Sequence, residues 1–186
     1  RVVVHEIGHQ YWYGIVASNE FEEAWLDEGF TSYAEDKLMQ AEYGLPGHPS
    51  LEAVYITNPA SLTRHAWNYR DHGHYADNVY IRGKLVLLAI EREIGESAMK
   101  RVMKTYYERW KFKHPSTKDF QKTLESVTRK DWSEFFEQFV YGDRMADYAV
   151  ERIEKLPSAA GTHAYRVTVA ARGGKNGPVY VRFQYK

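Results

Sequence analysis

One spacing constrains this chain more than any other feature. His5-Glu6-Ile7-Gly8-His9 lies within its first fourteen residues. In an α-helix residues four apart stand one above the other, so His5 and His9 can grip one metal ion from the same face. Glu6 lies roughly 100° round the helix from His5, near enough to reach a water on such an ion without replacing a ligand. Val3, Val4, Ile7 and Tyr11 fall on the opposite face and predict that this helix packs into a core. The pentapeptide alone also arises by chance in helices that bind no metal, so its weight depends on the residues downstream.

A catalytic zinc commonly takes three protein ligands and leaves one position for water, and two histidines with a glutamate are an established set. The third ligand must come from another element. Eighteen residues separate His9 from Glu28, which sits in a stretch that predicts a second helix from about Trp25 to Tyr43, stopped at Gly44. On a helical projection Glu28, Ser32 and Glu35 share one face, while Leu26, Phe30 and Tyr33 share the other. Gly29 inside that helix costs about 1 kcal/mol relative to Ala and suits a place where backbone passes close to a neighbour or ligand. With zinc on His5, His9 and Glu28, Glu6 would take a proton from the bound water and deliver it to a leaving amine. Glu35 is then either a surface carboxylate or the group that holds one histidine ring by its free N–H.

The rest of the chain predicts a helical body. Residues 45–78 carry three prolines and show no sustained period, which suggests a long connection with at most one short helix. His72 and His74 within it suit solvated loop histidines better than metal ligands. An apolar run from Lys84 to Ile94, closed by Gly95, predicts a central buried helix. Residues 97–111 predict an amphipathic helix with Met99, Val102, Met103, Tyr106 and Trp110 inward. Capping-box patterns at Ser116–Asp119 and Asp131–Glu134 predict helices at about 117–127 and 131–140. Beyond Gly142 the period changes to two: a strand near 148–154, then Tyr165–Val169 and Val179–Tyr185 around a glycine-rich turn at Gly173–Gly177. Two or three strands make a poor free-standing sheet, so this segment suggests the start of a larger β-domain. The expected organisation is therefore a helical unit over 1–145 and a partial β-domain over 146–186.

Composition narrows the function classes. Twenty-five basic residues balance twenty-five acidic ones, which gives no electrostatic case for nucleic acid or an anionic membrane as partner. No apolar run reaches membrane length. The absence of cysteine excludes a disulfide scaffold and thiol catalysis and leaves the compartment open. Aromatic residues reach 15%, with fifteen tyrosines; core packing and an aromatic-walled cleft together account for that share.

The histidine pair, the eighteen-residue gap, and Glu28 within Trp25-Leu26-Asp27-Glu28-Gly29-Phe30 resemble the gluzincin metallopeptidases of the aminopeptidase N and leukotriene hydrolase type. Those proteins typically have Asn where this chain has Asp27, a departure that adds negative charge and leaves the ligand set intact. Tyr80-Ile81-Arg82-Gly83 resembles their Tyr-x-Lys-Gly sequence before a buried helix, with Arg82 in place of Lys. The resemblance extends through Phe135–Phe139 and into Pro178–Phe183, densest in residues 1–35 and 75–95.

The resemblance implies a thermolysin-like helical catalytic lobe followed by a short β segment, in a mainly α chain. It implies one zinc ion on His5, His9 and Glu28, Glu6 as general base, and Tyr80 as hydrogen-bond donor to the oxyanion of the tetrahedral intermediate. Tyr75 is the fallback if the register differs. Peptides are the implied substrates, and aminopeptidase action the leading activity. Endopeptidase or epoxide hydrolase action with the same groups is the alternative within enzymes, and a non-catalytic scaffold the alternative outside them. The family's substrate-amine motif, Gly-x-Met-Glu-Asn, lies upstream of the metal helix, so N-terminal domains of the same polypeptide are expected before Arg1. The acidic residues Glu20, Glu22, Glu23, Asp27 and Glu35 either attract a free amine or mark helix N-termini favoured by the macrodipole.

Overall fold

The computed structural model describes residues 1–174, and the chain divides into two compact units, Arg1–Asp143 and Arg144–Lys186. It is mainly α with a short β segment, as the patterning predicts. In the first unit α1 (Val2–Gly8) carries both histidines, His9 serving as its C-cap. After a turn, α2 (Glu20–Glu23) and a 3₁₀ turn (Ala24–Leu26) lead to α3 (Glu28–Tyr43), which ends at Gly44 with φ +64°. The second helix thus starts three residues later than its periodicity suggests, because Trp25 and Leu26 belong to the 3₁₀ turn and Asp27 is the cap.

Residues 45–78 hold more structure than the prolines suggest: α4 (Pro49–Ala53), a 3₁₀ turn (Ala66–Asn68) and α5 (His72–Ala76). These elements are too short to show a period. A π-helical stretch (Asp77–Arg82) runs straight into α6 (Gly83–Ile94), followed by α7 (Glu96–Trp110) and α8 (Thr117–Thr128). The Ser116–Asp119 capping box is formed. The one expected at Asp131–Glu134 is not: Asp131 accepts from the Ser133 N–H, and α9 (Ser133–Phe136) begins after Trp132 and passes into a second π stretch (Glu137–Tyr141).

The core forms where α3, α6, α7, α8 and α9 turn their apolar faces together, around Phe30, Leu87, Val102, Tyr106, Phe120 and Phe136. Phe30 packs edge-on against Phe120 with ring centres 4.9 Å apart, and both contact Tyr106, geometry that aromatic quadrupoles favour. Trp25 is fully buried and donates its indole N–H to Thr117 Oγ1 at 2.9 Å. Much of the aromatic content is therefore core.

The apolar face of α1 is a correction. Val3, Ile7 and Tyr11 are 71%, 58% and 53% exposed, where the sequence predicts burial. Periodicity identifies an apolar face but not what covers it. Here α1 is held through its other side, where His5 is buried and Gly8 lies against Thr31 of α3.

In the second unit β1 (Tyr148–Leu156) and β2 (Ala164–Ala171) pair antiparallel, with a register shift between Val150 and Arg152. The strand expected over Val179–Tyr185 and most of the Gly173–Gly177 turn lie outside the described residues. No helix among the described residues is long and apolar enough to cross a membrane.

Two glycines set how α3 and α6 meet. A Cβ on Gly29 would lie 3.1 Å from both Gly83 Cα and the Val79 carbonyl, and one on Gly83 would lie 3.2 Å from Gly29 Cα. So α3 and α6 cross backbone to backbone, and Gly29 answers to a neighbour rather than a ligand. On an ordinary exposed helix Gly→Ala stabilises by about 1 kcal/mol. At this crossing the obstacle is backbone on both sides, so we expect Gly29→Ala to destabilise the chain by about 1–3 kcal/mol, measured by denaturant unfolding.

Candidate metal centre

His5 and His9 project from the end of α1 toward the first turn of α3, and Glu28 is the first residue of that turn. Glu28 Oε2 lies 3.0 Å from His5 Nε2 and 3.3 Å from His9 Nε2. The donor atoms of these three residues all fall within 4.8 Å of one another, the only such group of His, Asp and Glu among the described residues. A tetrahedral zinc site with bonds of about 2.0–2.1 Å separates its ligands by roughly 3.3 Å. The separations of 3.0 and 3.3 Å lie close to that edge.

Each ring is also held from behind. His5 Nδ1 lies 3.3 Å from Glu35 Oε2, and His9 Nδ1 lies 2.6 Å from Asp27 Oδ1. Both rings therefore turn Nε2 toward Glu28, where His5 Nε2 donates to the carboxylate; moving the ring proton to Nδ1 would free that nitrogen's lone pair for an ion. Sequence reasoning left Glu35 between two roles; it lies at hydrogen-bonding distance from a ring. That reasoning missed Asp27 as the partner of His9, although its position beside Glu28 carries the signal. It also missed Arg1, whose guanidinium bonds Glu35 at 2.9 Å and Asp36 at 2.5 Å.

Tyr80 joins the group. Its O–H donates to Glu28 Oε1 at 2.7 Å, and its ring stacks on His5 at 5.7 Å between centres. It sits in the π stretch before α6, whose wider turn sets the phenol toward α3; π-bulges are frequent at functional sites. Behind it, buried Arg82 fastens the stretch by donating to the carbonyls of Ala60, Phe139 and Gly142 at 2.7, 2.8 and 3.1 Å. Burial lowers that guanidinium to about 10. Tyr75 packs edge-on against Tyr80.

Glu6 is exposed and lines, with His5, His9, Glu28, Ser32, Glu35 and Tyr80, one open cavity of about 620 Å³. The structure thus brings His5, Glu6, His9, Glu28, Glu35 and Tyr80 to one cavity. It does not add His72 and His74: His72 is exposed, and buried His74 has ring nitrogens 3.2 Å from the Arg70 amide and 3.0 Å from the Asn58 carbonyl.

The electrostatics follow from these contacts. The hydrogen bond to Glu28 raises the His5 ring above its ordinary value, against the cost of burial. Burial would raise Glu28, but bonds from His5 and Tyr80 outweigh it and hold the carboxylate low. Burial, then the bond to Glu28, pushes the Tyr80 phenol far above its ordinary range, so it stays a donor at neutral pH. Burial raises Asp27 to about 7, with His9 pulling the other way.

Residues 1–139 match the peptidase family M1 domain. The chain is 22% identical over 150 residues to "Probable aminopeptidase 1" of Sulfurisphaera tokodaii, covering 75% of this chain and 19% of that protein. It is 26% identical over 151 residues to human glutamyl aminopeptidase, covering 69% of this chain and 14% of that protein. The chain thus spans about a fifth or less of the length of these relatives. Among solved structures, an M1 zinc metallopeptidase from Deinococcus radiodurans superposes with a TM-score of 0.64 at 21% identity, over 78% of this chain and 34% of that one. Native yeast LTA4 hydrolase superposes with a TM-score of 0.59 at 20% identity, over 77% and 26%. These likenesses describe a shared fold, and with the family domain matched across residues 1–139 of 186, the chain belongs to peptidase family M1.

Proposed function

We propose that this chain carries the metal-binding and catalytic helices of a zinc aminopeptidase, with residues 1–145 as its helical catalytic subdomain and 146–186 as part of a β-domain. The observation that carries the reading is the convergence of His5 Nε2, His9 Nε2 and Glu28 Oε2 on one point, in a cavity whose walls also hold Glu6 and Tyr80. His5, His9 and Glu28 would hold the ion. Zinc bound there supplies Lewis acidity that brings a water's pKa toward neutrality.

The chain's own groups do the rest. Glu6, on the exposed rim, takes a proton from the attacking water and passes it to the departing amine. Tyr80 keeps its proton at neutral pH and donates a hydrogen bond to the carbonyl oxygen as that oxygen gains charge, an effect of about 3–4 kcal/mol for a single donor in comparable sites. In the structure Tyr80 donates to Glu28, so that donation is exchanged for one to substrate. The aminopeptidase part of the reading rests on the two named relatives, a probable aminopeptidase and a glutamyl aminopeptidase.

The chain should take up one zinc ion, read by elemental analysis after dialysis, and His9→Ala should abolish that uptake. In the full-length polypeptide Glu6→Gln should retain zinc and lower kcat about 100-fold or more; peptide cleavage at the wild-type rate would remove Glu6 as base. Tyr80→Phe should lower kcat by about 100-fold with KM little changed, whereas a change confined to KM would count against the oxyanion role. A free-amine substrate should be cleaved and its N-acetylated twin left intact; equal rates would point to an endopeptidase.

A further inference from the structure

The two histidines are held by carboxylates in different electrostatic states. Glu35, behind His5, is already paired with Arg1 at 2.9 Å. Asp27, behind His9, is 2% exposed, and its carboxylate faces the imidazole alone, with no lysine or arginine partner among the described residues. A buried carboxylate without a cation is costly. The cost falls if a cation lies on the far side of the ring it contacts, where His9 Nε2 faces Glu28 Oε2 at 3.3 Å. The chain geometry reinforces the coupling: Asp27 and Glu28 are consecutive, so the turn that brings a carboxylate to the metal point also fixes the neighbouring ring. Glu35 reaches His5 from two turns further along α3, over a longer 3.3 Å separation.

We propose that Asp27 is a positioning residue whose short, unshared contact with His9 supplies a larger share of metal affinity than Glu35, which is shared with Arg1, does through His5. This rests on the reading of His5, His9 and Glu28 as a zinc site and adds which of the supporting carboxylates governs it. The resembled family's usual Asn at this position could accept the same N–H bond but would bring no charge. The mechanism is the carboxylate–histidine–zinc arrangement, in which a ring N–H donated to a carboxylate raises the basicity of the opposite nitrogen.

The test measures zinc affinity by competition with a chelator for the wild-type chain, Asp27→Asn and Glu35→Gln, alongside thermal melts of the metal-free proteins. Asp27→Asn should weaken zinc binding about 10- to 100-fold, and Glu35→Gln by a clearly smaller factor. Unchanged affinity in Asp27→Asn, or equal losses in the two variants, would overturn the proposal. A purely structural role would lower the melting temperature and leave affinity alone, which also overturns it. Should Asp27→Asn fail to fold, the nitrogen-15 spectrum of histidine-labelled, metal-free wild type at alkaline pH decides: His9 must carry its proton on Nδ1, and the Nε2–H tautomer would refute the claim. If wild type itself takes up no zinc, the metal reading falls and this inference with it; if wild type binds and the variants match it, only this inference falls.

Discussion

The site depends on a backbone contact. Gly29 of α3 and Gly83 of α6 meet with no room for a side chain between them. Glu28 directly precedes the first glycine, and Tyr80 lies three residues before the second. The contact therefore sets the 2.7 Å separation of phenol and carboxylate. Gly8 does the same for α1, where an added Cβ would lie 2.8 Å from the Thr31 methyl. A functional constellation must be held to about 0.5 Å, and flexible side chains at these crossings would not hold it. The interlocked rings of Phe30, Tyr106 and Phe120 press α3 from its other face, so the helix that carries Glu28 is clamped on both sides.

Charge is distributed with the same economy of position. The acidic residues between Glu20 and Glu35 look like one cluster in the sequence, but the structure separates them. Glu23 accepts the Thr117 N–H at the start of α8, a helix N-terminus that favours a carboxylate. Glu35 and Asp36 share Arg1, and buried Lys84 bridges Asp36 and Glu52 at 2.8 and 2.6 Å. Asp27 and Glu28 face the histidines. Of that cluster only Glu20 and Glu22 are left without an assigned partner among the described residues, which narrows the part that could draw a positively charged amine.

How much of this was legible in the sequence depends on the range of each signal. Helical periodicity and glycine stops placed α3, α6, α7 and α8 to within a few residues, because those helices are long and one-sided. The four-residue spacing of the histidines is local and stereochemical, and so was readable. Glu28 was readable as a candidate by its element, but Tyr80 was one of fifteen tyrosines and needed the family resemblance. Short elements such as α4 and α5 show no period. The exposed face of α1 shows a further limit: a stripe such as Val3, Ile7 and Tyr11 reports a preference for burial without naming a partner. Pairings across the fold, such as Arg1 with Glu35 or Arg82 with three carbonyls, leave no mark on local pattern at all.

The two departures from the resembled family's motifs bear on whether the site is maintained. Arg82 stands where Lys is usual, and its planar fork reaches three carbonyls from two separate segments, so the buried charge is met by acceptors. Asp27 stands where Asn is usual and makes a 2.6 Å contact with His9. A site released from selection would be expected to accumulate buried polar groups with poor partners, each costing about 1–3 kcal/mol. Here Arg82, two residues after Tyr80, is met by carbonyls, whereas Asp27, next to Glu28, is buried against His9. The chain thus differs from the resembled motifs in charge at Asp27 while Arg82 keeps a positive charge where Lys is usual.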